Sequence, residues 1–158
     1  MGFCSFLLLE PQSSRSAEAF TNIQHILQGG MLRDANGSTS IQISPRDNQE
    51  NSTLNLSISM TVLSGQSKKL AGMELLEYEF KHIFSIADEL AEKKTDKGFF
   101  DKFYVDYFYK LAQSPNMPAF TRRMSLSANK DENTKWINDN DSLVKELDNW
   151  IVTTPRSF

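Results

Sequence analysis

His82 is the side chain in this sequence best suited to acid–base chemistry, because Glu79 stands three residues before it. Residues three apart are neighbours on a helix surface, and an imidazole beside a carboxylate can act as a general base or a pH sensor. The pair could therefore serve a small hydrolase or transferase. A histidine that fills a seam between two layers, with its nitrogens hydrogen-bonded, is the simpler interpretation, and we favour it.

Other signatures of catalysis are missing from the sequence. It has no Gly-x-Ser-x-Gly elbow, no glycine-rich phosphate loop and no dinucleotide fingerprint. Two histidines and a single cysteine, Cys4, are too few for the usual zinc sites, and one cysteine cannot form an intrachain disulfide. We expect neither a metal nor a cofactor.

A small basic patch lies at Arg122 and Arg123, beside Phe120. Such a patch could hold a phosphate or a single-stranded base. However, Asp131 and Glu132 follow it closely, and the net charge of -3 gives no general attraction to nucleic acid. We interpret the patch as a solvated helix end and do not expect nucleic acid as a partner.

An aromatic segment, residues 99–111, is the most unusual part of the chain. At about 100° per residue, an α-helix would collect most of its aromatic side chains on one face, with Val105 and Tyr109 nearly opposite. A helix that is apolar on both sides needs cover on its back, so Val105 and Tyr109 are candidate protein-binding residues. The predicted inner face consists of Phe100, Phe103, Tyr104, Tyr107, Phe108 and Leu111.

A long helix is predicted over residues 67–93, because apolar residues recur there with helical spacing in two stripes. One stripe suits the core. The other contains Tyr78, His82 and Ile86, which we add to the candidate protein-binding residues. Two apolar stripes predict that this helix lies between a sheet and a helical bundle.

A strict alternation of apolar and polar residues over 54–62 predicts a half-buried strand. We expect it to form a hairpin with a strand at Ile41 and Ile43, across a loop at 45–52. Phe3 to Leu9 is a short apolar run that we interpret as a buried strand, with a truncated export signal as the alternative.

The remaining periodic segments predict further helices. One is expected from Ser14 or Ser16 to Leu27, ended by Gly29 and Gly30, and others follow residues that suit a helix N-terminus. We therefore predict a single α+β domain over 1–158: a small antiparallel β-hairpin sheet of two or three strands packed on a bundle of about four to five helices. Residues 1–65 would supply a helix and the hairpin, 66–152 the helical part and 153–158 a tail. The later helix starts are Asn116, Asn129 or Asp131, and Asn140 or Asp141.

Composition and surplus apolar surface together suggest the function. With 39% hydrophobic and 23% charged residues the chain is typical of globular proteins, and no apolar stretch is long enough to predict a membrane partner. We predict a non-catalytic protein-binding or adaptor domain that presents an aromatic-rich helical surface to another protein or to a second copy of itself. The alternatives are the His82 enzyme and a carrier of an apolar small molecule in an aromatic-lined cavity. A cytoplasmic location is expected, with export as the alternative.

Overall fold

Helices make up most of this chain. The computed structural model describes the backbone of residues 1–28, 31–33, 39–41 and 49–158, and the side chains of 1–28, 41 and 52–158. Two short strands, β1 (Met31–Arg33) and β2 (Thr39–Ile41), pair antiparallel, with Met31 opposite Ile41. The described residues form eight α-helices, numbered α1 to α8: Gly2–Leu9, Ser16–Gln28, Gln49–Ser67, Gly72–Glu92, Asp106–Ala112, Met117–Met124, Lys130–Asp139 and Asp141–Thr153.

The prediction of an α+β fold is therefore wrong. Residues 54–62, predicted as a strand, lie within α3, and residues 3–9, also predicted as a strand, lie within α1. The described sheet has only three residues in each strand. Ile41 ends β2, whereas Ile43 and the predicted stop at Gly29 and Gly30 lie outside the described residues. Helices α2, α4, α6, α7 and α8 confirm the helical predictions in those segments.

The alternating segment forms a helix because its apolar residues also fit a spacing of four. Leu54, Ile58 and Val62 fall on one side of α3, where Val62 is buried and Ile58 packs against the core. Leu56 and Met60 fall on the other side and are exposed. Over nine residues, a period of two contains a period of four, so the pattern is compatible with either structure.

The polar residues of this segment are also satisfied within the helix. The hydroxyl of Ser57 donates a hydrogen bond to the carbonyl oxygen of Thr53 at 2.8 Å, and that of Thr61 donates to Ser57 at 2.9 Å. Ser59, which is buried, donates to the carbonyl of Asn55 at 3.1 Å. Bonds from a hydroxyl to the carbonyl four residues earlier remove the cost of burying these groups, which a strand would have placed in water.

Four phenylalanine rings hold the centre of the molecule, and we call them the phenylalanine cluster: Phe80 and Phe84 of α4, Phe108 of α5, and Phe120 of α6. All four are buried, and the ring centroids of five of the pairs lie between 4.8 and 6.1 Å apart. Burying one phenylalanine contributes about 1.5–3 kcal/mol, so the cluster is a large part of what joins these helices. The other helices that add buried side chains around it are α1 with Leu7, α2 with Phe20, α3 with Val62 and α8 with Leu147.

The aromatic segment departs from a regular α-helix. Residues Asp101–Val105 form a π-helical turn that leads into α5, and the N–H of Asp106 donates to the carbonyl of Asp101, five residues back. A π turn takes up more residues than an α turn, so the faces on its two sides lose their regular spacing. Val105 is buried because Ala87 and Ala91 of α4 pack against it, so the expectation that it faces a free surface is wrong.

We expect Phe120→Ala to lower the free energy of unfolding by about 3–5 kcal/mol, because the cluster would lose one ring and keep a cavity. Urea denaturation followed by circular dichroism measures this. Met60→Ala, which shortens an exposed side chain on α3, is the matched control and should change stability by no more than about 0.5 kcal/mol. Equal effects of the two substitutions would contradict the assignment of the core.

Candidate functional site

A cleft with apolar and polar walls lies where α3 and α4 meet the start of the aromatic segment. We call it the phenylalanine cleft, since Phe100 stands on its edge. Its volume is about 560 Å³. Its apolar lining residues are Leu54 of α3, Ala87, Leu90 and Ala91 of α4, and Phe100 and Val105; the polar ones are Thr53, Lys93, Lys94, Thr95, Asp96 and Asp101.

Two consecutive aromatic side chains are exposed beside this cleft. Phe99 is 58% exposed and Phe100 is 50% exposed. Both rings pack against neighbouring rings. The Phe99 ring stacks on that of Phe103 with centroids 4.9 Å apart, and the centroids of the Phe100 and Tyr104 rings lie 5.5 Å apart. The segment therefore holds two large apolar side chains in fixed positions at the surface.

A buried carboxylate fixes the backbone that carries these rings. Asp101 is almost fully buried and accepts two hydrogen bonds from the ammonium of Lys94, at 2.9 and 3.2 Å. It also accepts one from the backbone N–H of Gly98 at 3.1 Å. These bonds tie the connection after α4 to the first turn of the aromatic segment, so the position of Phe99 and Phe100 is set by a charge-assisted network.

Tyr78 and His82, both predicted as binding residues, lie together along the edge of the α3–α4 pair. Their rings are 3.9 Å apart, and the Tyr78 hydroxyl is hydrogen-bonded to the Ser64 hydroxyl of α3 at 3.0 Å. The ammonium of Lys68 lies 4.6 Å from the Tyr78 ring. The Ser64 hydrogen bond is the main cause that lowers the pKa of Tyr78. Tyr78 thus helps to join two helices, while the His82 side chain remains exposed.

The other predicted residues do not form one surface with these two. Ile86 is half-buried on α4, Tyr109 is half-buried on α5, and Val105 is buried beneath the phenylalanine cleft. In the aromatic segment, the exposed side chains are Phe99 and Phe100, and not the predicted Val105 and Tyr109. Phe100 was predicted on the inner face but is half exposed, and Phe99 was not among the predicted residues, although two adjacent phenylalanines directly after Gly98 mark the beginning of a helix where neighbours are few.

The His82–Glu79 pair required for an enzyme is not formed. Within the described residues no hydrogen bond or ion pair joins the two side chains; Nδ1 of His82 is instead 2.8 Å from the backbone carbonyl of Tyr78. Glu79 is buried and lines a separate cavity, and this burial raises its pKa to about 7. The chemistry expected of a coupled acid and base therefore has no geometric support.

The basic patch is used inside the fold. Arg122 donates to Glu132 at 2.6 Å and to the side-chain oxygen of the buried Asn133 at 3.0 Å, and Arg123 forms an ion pair with Asp148. These contacts tie α6 to α7 and α8. Both guanidinium groups are thus neutralised by carboxylates.

The C-terminal residues cover the other side of the aromatic segment. The guanidinium of Arg156 lies 3.9 Å from the centre of the Tyr107 ring and donates to the hydroxyl of Ser5 in α1 at 2.9 Å. The Phe158 ring lies 5.3 Å from that of Phe103. Cation–π and ring contacts of this kind fix a segment that we predicted only as a tail. A single arginine among polar residues gives no periodic signal, so the sequence could not show its place.

Comparisons with known proteins add no identification, because no family model, no curated protein and no solved structure matches this chain. Among the residues that the structure describes, no three His, Cys, Asp or Glu side chains come together as a group that could hold a metal ion. None of the helices in the same part of the chain has both the length and the apolar character needed to cross a bilayer.

The burial of Glu79 makes a prediction about stability and pH. Its pKa is about 7 in the folded protein and near the ordinary value of 4.5 when unfolded, so the folded state holds the proton more tightly. The protonated Glu79 carboxyl therefore contributes fully to stability below pH 4.5. As the pH rises to about 7 this contribution is lost, and the free energy of unfolding falls by up to about 3 kcal/mol. The substitution Glu79→Gln keeps the size and shape of the side chain but replaces the carboxyl by an amide, which does not titrate.

Urea denaturation of both proteins between pH 4.5 and 8 measures the effect. The stability of Glu79→Gln relative to the natural chain should rise over this interval and level off above pH 7. A difference that stays constant with pH would show that Glu79 has the same pKa folded and unfolded.

Proposed function

We propose that this protein is a non-catalytic protein-binding domain and that its docking surface is the phenylalanine cleft with Phe99 and Phe100. The observation that carries the proposal is the pair of exposed phenylalanine rings fixed next to a cleft of about 560 Å³. Buried aromatic side chains are common anchors of protein interfaces, whereas an exposed pair is costly to keep in water without a use.

The rigidity of the two rings supports binding rather than chance exposure. Ordering a flexible side chain on association costs about 0.5–1.5 kcal/mol, and a ring already packed against Phe103 or Tyr104 has lost that freedom beforehand. The Asp101 network likewise fixes the backbone before a partner arrives. A surface ordered in advance binds more tightly for the same contact area.

The cleft indicates what kind of partner fits. Its volume is in the range of small binding pockets, so it takes a few side chains of a peptide segment and not the face of a globular domain. Its apolar walls select large aliphatic or aromatic side chains. Lys93 and Asp96, both on the rim and exposed, form no ion pair within the described part of the chain, and can pair with charges that flank the segment. The partner we propose is therefore an amphipathic segment of another protein.

The test compares two double variants that each remove exposed apolar side chains. Phe99→Ser with Phe100→Ser alters the proposed surface, and Leu56→Ser with Met60→Ser alters exposed residues on α3 that do not line the cleft. The full chain is used to capture partners, which are identified by mass spectrometry and then purified for titration calorimetry. We expect the first variant to weaken binding of the purified partner by at least about tenfold and the second to leave it unchanged.

Two results would contradict the proposal. One is a partner that binds both variants equally well, which would place the docking surface elsewhere. The other is concentration-dependent self-association in sedimentation velocity that the Phe99 and Phe100 changes abolish, because the occupant of the cleft would then be a second copy of this chain.

A further inference from the structure

We propose that a second cavity, between α2, α3 and α4, binds a compact molecule with an ammonium group on an apolar body, and that the Glu79 carboxylate receives the ammonium. The cavity is separate from the phenylalanine cleft and has a volume of about 290 Å³. This inference does not depend on the proposed protein-binding function.

The walls of the cavity suit such a ligand. Phe20 and Leu27 of α2, Val62 of α3 and Leu76 of α4 supply buried apolar surface. The polar lining residues besides Glu79 are amides: Gln24, Gln28, Gln66 and Asn129. A ligand with an apolar body and one polar end would match this arrangement of apolar walls and a single carboxyl group.

Glu79 lacks the partner that a buried carboxyl needs. It is only 5% exposed, and within the described residues its carboxyl group takes part in no hydrogen bond or ion pair. Its oxygens reach solvent through the open side of the cavity, because in the described part of the chain Ser127 Oγ is the one fully enclosed side-chain atom without a partner. A buried polar group without hydrogen bonds is costly, and a buried carboxylate is costlier still. An ammonium supplies both the positive charge and up to three donors, so it satisfies what the protein leaves unsatisfied.

The charge of the cavity makes this choice of ligand specific. Among the described residues, α2, α3 and residue 129 contribute only amides and apolar groups to the cavity lining, and on α4 itself His82 is exposed to solvent. Desolvation is the only cause that shifts the pKa of Glu79, which agrees with the lack of a neighbouring charge. Among the described residues that line the cavity, a cation would therefore meet no competing positive group, and an anion would be repelled by the ionised carboxyl.

The same geometry makes binding depend on pH. Only the ionised carboxyl attracts an ammonium strongly, and the pKa of Glu79 is about 7. Below that pH the ligand must first displace a proton, so its affinity should fall about tenfold for each pH unit. Above pH 7 the affinity should level off, because the carboxyl is then ionised before the ligand arrives.

Benzylamine and benzyl alcohol are suitable probes, since they share an apolar body and differ in the polar group. Titration of the full chain is followed by two-dimensional NMR at pH 8. We expect benzylamine to shift the side-chain amide signals of Gln24, Gln66 and Asn129 saturably. Benzyl alcohol should bind with an affinity at least about tenfold lower. Glu79→Gln should weaken the binding of benzylamine by a similar factor. Glu74→Gln, at an exposed position on the same helix, should leave this binding unchanged.

The pH profile of the natural chain tests the proposal without any substitution. The proposal is wrong if benzylamine gives no saturable shift up to about 10 mM, a bound well above what a specific site of this size requires. It is equally wrong if the alcohol binds as tightly as the amine, if Glu79→Gln binds benzylamine unchanged, or if affinity does not decline below pH 7.

Discussion

The contact of α4 with α5 and α6 through the phenylalanine cluster is the interaction on which the rest of the structure depends. Phe84 lies 4.8 Å from Phe108 and 6.0 Å from Phe120, so three helices meet at one ring. Helices as short as α5 and α6 are marginal alone and gain most of their stability from such packing. Helix α3 then approaches α4 closely at Gly65, where a Cβ would stand 2.5 Å from the Leu75 side chain and 3.3 Å from Tyr78.

Because α4 is surrounded, its different sides face different surroundings. Phe80 and Phe84 lie on the side of α4 that packs into the core, whereas Glu79 lines a cavity. Tyr78 bonds to α3 at the edge of the helix pair. Near its C-terminal end, Ala87 and Ala91 form the floor of the phenylalanine cleft beneath Val105. The small side chains there leave the space that makes the cleft possible.

The sequence predicted the parts whose signal is local and repeated. Apolar residues at helical spacing predicted α2 and α4, and the helix start at Asn116 predicted α6. It failed at α3, where an alternation of nine residues fits a helix as well as a strand. It failed again at Val105, because α4 covers that residue with Ala87 and Ala91, and nothing in the residues around Val105 shows which helix packs there.

The candidate sites were less predictable than the helices, for a physical reason. The aromatic segment was recognised as rich in apolar surface, but which ring stays exposed depends on what other segments cover. Arg156 and Phe158 cover Tyr107 and Phe103, and that contact joins residues about fifty apart in the chain. The surroundings of Glu79 likewise depend on Phe20 and Val62, which line the same cavity and which no pattern near Glu79 reveals.

Native-state hydrogen exchange tests the central role of the phenylalanine cluster most directly. Our account predicts that the backbone amides of α4 near Phe80 and Phe84, and those of α6 near Phe120, exchange only when the whole molecule unfolds. Their opening free energies should then equal the free energy of unfolding from urea denaturation. If these amides exchange through local openings that cost several kcal/mol less, the cluster is not what the remaining structure depends on.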